Sequence, residues 1–192
     1  LIIGAQGMLG RDLATRLPTL PDSSFPCIEV IAVNHGQMDI THGPNTSKFI
    51  GQITPDIIVN CAAFTNVDAC ETQISEAFAV NATGTKNVAL AGKETGAKVV
   101  HISTDYVFGG ERRTPYGEDD LPRPLQTYGI SRLAGEHAAL STAPAHAVVI
   151  RTCGLYGQAG ARSKGGNFVD GRVVEFADAH GMPAQRFYNL LC

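Results

Sequence analysis

The apolar positions of this chain fall into short continuous runs, separated by longer stretches in which they recur every three or four residues. The short runs Leu1–Ile3, Ile28–Val33, Asp56–Asn60, Ala97–Ile102 and Ala147–Arg151 predict five strands. Leu9, Leu13 and Leu17 are spaced by four and predict a helix from Gly7 to Leu17. Further helices are predicted from Ser75 to Gly92 and from Gln126 to Ala139, and Pro18, Pro21 and Pro26 mark a loop. Strands that alternate with helices imply an α/β fold, a doubly wound parallel sheet. The runs are apolar throughout rather than alternating, as in strands covered on both faces. Beyond Leu155 the pattern weakens. Gln158–Gly166 reads as a Gly-rich basic loop and Phe168–Ala179 as one more helix, ended by Gly181 and Pro183.

One glycine pattern gives the first element a chemical meaning. Gly4-Ala5-Gln6-Gly7-Met8-Leu9-Gly10 lies between the first strand and the first helix. In that setting Gly4 permits a tight turn, Gly7 lets the backbone approach a pyrophosphate, and Gly10 lets helix and strand pack closely. The free N–H groups and dipole of the helix N-terminus then face the phosphates. This is the strand–turn–helix context of a Rossmann-type dinucleotide site. The next strand ends in Val33-Asn34-His35, with neither the acid that grips an adenosine ribose nor the arginine that binds a 2′-phosphate. The choice between NADPH and NADH therefore stays open.

Composition narrows the remaining classes. The chain has 192 residues, 44% of them hydrophobic, 17% charged, with a net charge of −3. That is the profile of an ordinary globular protein with no basic footprint for nucleic acid or an anionic membrane. No apolar run reaches the roughly 20 residues of a membrane helix. The start lacks the layout of a secretory signal. Five scattered cysteines form no C-x-x-C pair, which suits thiols in a reducing compartment, and the cytoplasm is the expected location. No His/Cys/Asp cluster has metal-ligand spacing. The chain opens inside an apolar strand and stops without a polar tail at Asn189-Leu190-Leu191-Cys192, so both ends read as cut.

The candidate chemistry sits after the fourth strand. His101-Ile102-Ser103-Thr104-Asp105-Tyr106 closes that strand, and Tyr128-Gly129-Ile130-Ser131-Arg132 opens the next helix after a loop rich in proline, glycine and charge. Tyr128 and Arg132 are four apart and share a helix face. Hydride transfer to a ketone needs a proton donor at the carbonyl oxygen. A tyrosine serves if a nearby cation lowers its pKa from about 10. The hydroxyl of Thr104, with Ser103 beside it, can hold the same oxygen. His101 is expected to be a strand-end residue without a chemical role, and Asn81 to hold backbone around the site.

These stretches together resemble the dTDP-4-dehydrorhamnose reductase family of extended short-chain reductases. The resemblance is carried by the glycine loop, Asp39-Ile40-Thr41, Pro55–Asp68, Val80–Asn87, Ser103–Phe108, Pro115-Tyr116, Tyr128–Ser131, Arg151–Gly157 and Gly166-Asn167-Phe168, all in family order. It implies that Gly4, Gly7, Met8, Leu9, Gly10, Asp39, Ile40, Ala62, Ala63, Phe64, Tyr128 and Arg132 meet the cofactor. It implies that Thr65, Val67, Thr104, Asp105, Tyr106 and Tyr128 meet a nucleotide-sugar substrate. Tyr128, with Thr104 and Arg132, would carry the chemistry, the reduction of dTDP-4-dehydro-L-rhamnose to dTDP-L-rhamnose. A homodimer, and Mg²⁺ at an interface, follow from the resemblance alone. The implied domains are a NAD(P)-binding unit over residues 1–157 and the start of a substrate-binding lobe over 158–192.

Three features depart from the family. Arg132 stands where the family has lysine. Arginine keeps the charge but is wider, planar and not deprotonated, so it cannot join a proton relay. Gly154 stands where many members carry tryptophan, and the chain has none. The family also continues for about 100 further residues, the size of a substrate lobe. These departures point to a rival class, a non-catalytic NADP-binding regulatory protein resembling the β subunit of methionine adenosyltransferase. A sugar-nucleotide dehydratase is disfavoured, because Thr104 is followed by Asp105-Tyr106 rather than an Asp-Glu pair.

Overall fold

A computed structural model describes residues 1–20 and 28–157 of the chain. The strands are β1 (Ile2–Ile3), β2 (Ala32–Val33), β3 (Ile57–Asn60), β4 (Lys98–Thr104) and β5 (Ala147–Thr152). They form one parallel sheet in the order β2-β1-β3-β4-β5. The helices are α1 (Met8–Arg16), α2 (Gly43–Ile53), α3 (Val67–Thr72), α4 (Ile74–Phe78), α5 (Thr85–Thr95) and α6 (Thr127–Thr142). The expected loop Gln158–Gly166 and helix Phe168–Ala179 lie outside the described residues.

Two elements differ from their sequence-based bounds for identifiable reasons. The second strand, expected from Ile28, pairs only at Ala32 and Val33, because β1 offers just Ile2 and Ile3 as partners. The single helix expected over 75–92 is divided. α4 runs into a π turn at Ala79–Gly84 before α5 begins. Such turns re-aim side chains and recur at functional sites. Here the turn carries Asn81, fully buried.

α2 is the helix expected after the Asp39 turn, for which the sequence set no bounds, and α3 was not anticipated. Both start on side-chain caps. His42 Nδ1 accepts from the Asn45 N–H at 3.3 Å, with Pro44 in the first turn, and Asn66 Oδ1 accepts from the Ala69 N–H at 3.0 Å. Each cap satisfies an N–H that the helix leaves unpaired.

One sheet face is well covered. Ile3, Val33, Ile58 and Val99 of the sheet meet Ile50 of α2 and Val88 and Ala91 of α5 in one buried cluster. Ala89, Ala139, Ala143 and Ala147 form a second, where small side chains let α5, α6 and β5 approach closely. The expectation that both faces are covered holds less well across the sheet. Ile57, Val148 and Ile150, which point away from those clusters, are about half exposed among the described residues.

Candidate active site

The strand order creates the first half of the site. The chain leaves β1 for β2 on one side and later returns to β3 on the other, so a crevice opens at the C-terminal ends of β1 and β3. The glycine loop occupies it. Gly4 has φ of +80°, and a Cβ there would stand 2.7 Å from the Ala62 nitrogen. Only glycine satisfies both the left-handed backbone and the approach of the neighbouring loop. Gly10 is buried against the Gly4 carbonyl, and Gly7 caps α1 with its own N–H donating to Gly4 O at 2.9 Å. Gly157, the last described residue, lies against Met8 and Asp12 of α1.

Across the crevice, residues 61–64 are clamped by two buried asparagines. Asn60 Oδ1 accepts from the Ala62 N–H at 3.2 Å. Asn81 grips Phe64 twice: its Oδ1 accepts from the Phe64 N–H at 2.8 Å and its Nδ2 donates to the Phe64 carbonyl at 3.1 Å. Asn81 Nδ2 also donates to Ser131 Oγ at 3.0 Å, and Ser131 Oγ donates to the Tyr128 carbonyl at 2.8 Å. The backbone that faces the glycine loop is thus tied to the helix that carries Tyr128. The expected backbone-holding role of Asn81 is visible in these bonds.

Tyr128 and Thr104 meet where α6 crosses the end of β4, close enough for the Thr104 hydroxyl to act on the Tyr128 phenol. Tyr106 packs edge-on to Tyr128, ring centroids 5.5 Å apart. Thr104 Oγ1 donates to Asp105 Oδ1 at 3.1 Å and accepts from the Tyr106 N–H at 3.2 Å, which fixes the turn after β4. Burial pushes the Tyr128 phenol above its ordinary pKa, against the pull of Arg132 and of the Thr104 hydroxyl. The net direction is therefore opposite to the lowering that a cation alone would give. The phenol stays protonated at neutral pH, the form a proton donor needs.

Arg132 lies one turn below Tyr128 and is buried. One of its terminal nitrogens donates to the Ile102 carbonyl. Its Nε and Nη1 have no hydrogen-bond partner. Burial pulls its pKa down while Tyr128, Glu136 and Cys61 hold it up. Its charge also acts on Cys61, whose thiol burial raises to about 11.

Below Arg132, Glu136 joins three elements. Its carboxylate accepts from Ser103 Oγ of β4 at 2.5 Å and from Nε and Nη2 of Arg151 of β5 at 3.1 and 2.7 Å. Arg151 also lies over the Phe108 ring, which stacks on Tyr116 at 4.3 Å, with Arg112 on Tyr116's ring. This stack anchors the loop between β4 and α6 onto the end of β5.

The structure therefore brings together Gly4–Gly10, Ala62–Phe64, Thr104, Tyr106, Tyr128 and Arg132. Thr65 and Asp105 are exposed beside them, and Val67 begins α3 half-buried. Asp39 and Ile40 lie between β2 and α2. The Asp39 carboxylate accepts from the Thr41 N–H and hydroxyl at 2.9 and 2.8 Å, and Ile40 is buried in the core. Asp39 thus braces its own turn through Oδ1. His101 is not a strand-end residue. It lies inside β4, fully buried and bonded to Asn60. Asn60, Cys61, Glu71 and Glu136 were not singled out from the sequence. A polar residue closing an apolar run, as Asn60 does, was the one available signal. Among the described residues no group of three or more His, Cys, Asp or Glu is placed to hold a metal ion.

Residues 1–180 match the model of a family described as the RmlD substrate binding domain. The chain belongs to the RmlD family. A dTDP-4-dehydrorhamnose reductase of Streptomyces griseus is 36% identical to it over 192 residues, covering 95% of this chain and 60% of the relative. Among solved structures, a dTDP-4-dehydrorhamnose reductase of Clostridium acetobutylicum is 36% identical, with a TM-score of 0.80. A Bacillus anthracis dTDP-4-dehydrorhamnose reductase in complex with NADP is 33% identical, with a TM-score of 0.81. Each of these two structures is matched over 93% of this chain and 59% of its own length. This RmlD-family chain thus spans about 60% of the length of such relatives.

Proposed function

We propose that this chain binds a reduced nicotinamide dinucleotide in the β1/β3 crevice and acts as a reductase of a nucleotide-sugar ketone, dTDP-4-dehydro-L-rhamnose. The observation that carries the reading is the meeting of Tyr128 and Thr104 beside a glycine loop and the clamped residues 61–64. The family relationship and the NADP complex of the Bacillus anthracis relative support it.

The residues present fit a dinucleotide. The glycine loop lies at the N-terminus of α1, with Gly7 at its cap, and Arg132 holds two buried donors without partners. A buried donor left unpaired costs about 1–3 kcal/mol, so these atoms call for an acceptor. Met8, Leu9 and Ala62–Phe64 would flank the cofactor, and Asp39 would lie on its adenine side. When bound, the nicotinamide supplies the hydride. Tyr128 would hold the substrate carbonyl oxygen together with Thr104 and release its phenolic proton to that oxygen. Asp105, Tyr106, Thr65 and Val67 would border the sugar nucleotide. Positioning the acceptor against a protonated phenol is what these residues contribute.

The test is titration with NADPH and NADH, then a turnover assay with dTDP-4-dehydrorhamnose, for the native chain and Tyr128→Phe. Binding by both chains with turnover only in the native one is expected. Failure of both nucleotides to bind overturns the reading.

One observation favours the second reading, cofactor binding without turnover in the service of a partner protein. Arg132 is committed to the Ile102 carbonyl and cannot relay a proton. Binding without turnover, recovered by Arg132→Lys, would support it.

A further inference from the structure

His101 is a fully buried titratable side chain near the crevice that the proposed chemistry leaves unused. It has one partner. His101 Nδ1 stands 3.3 Å from Asn60 Nδ2, across the β3–β4 pair in which the two residues are in register. The direction of that bond follows from the other end of the Asn60 amide. The Ala62 N–H needs an acceptor, and the amide atom 3.2 Å from it is Oδ1. The NH₂ group must then face His101, so Nδ1 accepts and the ring proton sits on Nε2. Nε2 has no partner and faces Gly135, where a Cβ would stand 3.5 Å away.

The ring is held neutral. Burial and the Arg132 charge lower its pKa to about 3. A neutral acceptor at Nδ1 is the only state that can receive the Asn60 amide. A polar pair in a strand interior costs free energy unless its members hydrogen-bond, as Asn60 and His101 do. What the pair fixes is the orientation of the Asn60 amide, and through it the Ala62 N–H beside Gly4.

Resting on the reading above, we propose that His101 is a positioning residue for the dinucleotide: by orienting the Asn60 amide it sets the Ala62 N–H and the backbone of residues 61–64 at the mouth of the crevice. Asn81 holds the far end of that loop at Phe64, so the two asparagines act at its two ends. One is rooted in β4 through His101 and the other in α6 through Ser131.

Three measurements on the full chain test this. In the native protein, nitrogen NMR of His101 should show the proton on Nε2, and a proton on Nδ1 overturns the proposal. In His101→Leu, which keeps bulk and loses the acceptor, hydrogen exchange at the Ala62 amide should quicken about fivefold, the size of one lost hydrogen bond. Amides of Ile58 and Val59 should be unchanged. His101→Gln restores an acceptor and should return Ala62 exchange to within about twofold of native. Unchanged exchange at Ala62, or equal acceleration across β3, overturns the proposal. NADPH affinity should fall about fivefold in His101→Leu and recover in His101→Gln, and equal affinity in all three overturns the link to the dinucleotide. If the native chain binds no nucleotide, the functional reading fails, while the tautomer and exchange results still decide whether His101 sets the loop.

Discussion

The Glu71 carboxylate caps the helix that carries Tyr128: Oε1 accepts from the Thr127 N–H at 2.8 Å and Oε2 from the Thr127 hydroxyl at 2.9 Å. Gln126, at the cap position itself, gives no side-chain bond. α3 thus supplies from a distance what the local sequence lacks, and a negative charge at a helix N-terminus also opposes the dipole favourably. Glu71→Ala should cost about 1 kcal/mol of stability by urea unfolding, the usual value of a lost cap. Unchanged stability would show that solvent replaces the carboxylate.

Arg132→Lys bears on turnover. A lysine at this place keeps the charge with one compact donor group and can relay a proton. NAD(P)H oxidation with dTDP-4-dehydrorhamnose should rise on the order of tenfold, the scale of a positioned helper in acid catalysis. No gain in rate would mean that arginine serves the reaction equally well.

The Glu136 carboxylate is buried and answers Ser103 and Arg151 together. Its removal leaves Arg132 and Arg151 without a nearby anion. Glu136→Ala should destabilise the fold by about 3 kcal/mol, at the lower end for breaking a buried pair because Arg151 is partly exposed. Chemical unfolding measures it. A loss similar to that of an exposed pair would show that water reaches the arginines.

Acid sensitivity follows from His101. Its folded pKa, about 3, lies below the ordinary value of 6.5, so the unfolded chain binds the extra proton first as pH falls. Stability from this group is complete above 6.5 and declines between 6.5 and about 3. From pH 7 to pH 5 the loss should be roughly 2 kcal/mol. His101→Leu should remove that part of the slope in urea titrations at the two pH values.

Much of the sheet was legible because burial writes itself into continuous apolar runs. β3, β4 and β5 lie where those runs lie, and α1 and α6 follow their periodicity. The bounds of α2 were not legible because Gly43-Pro44-Asn45-Thr46-Ser47 has the composition of a loop, although Pro44 is a start signal for a helix. α3 is too short to show a period. The glycine loop was readable because strand, turn and helix are local. Of the clamps, Asn81 was expected to hold backbone, but neither its partner in α6 nor the Asn60 clamp was legible. Asn60 meets His101 across 41 positions and Asn81 meets Ser131 across 50, and nothing in either neighbourhood announces the other.

The two-ended grip on residues 61–64 has an evolutionary consequence. Asn60 and Asn81 hold this segment by its backbone N–H and carbonyl groups, leaving the side chains of Cys61, Ala62, Ala63 and Phe64 out of the fastening. Except for Ala62, which packs on the core, those side chains can be exchanged over generations without loosening the two clamps. The crevice can in this way change which molecule it prefers while keeping the frame that presents it.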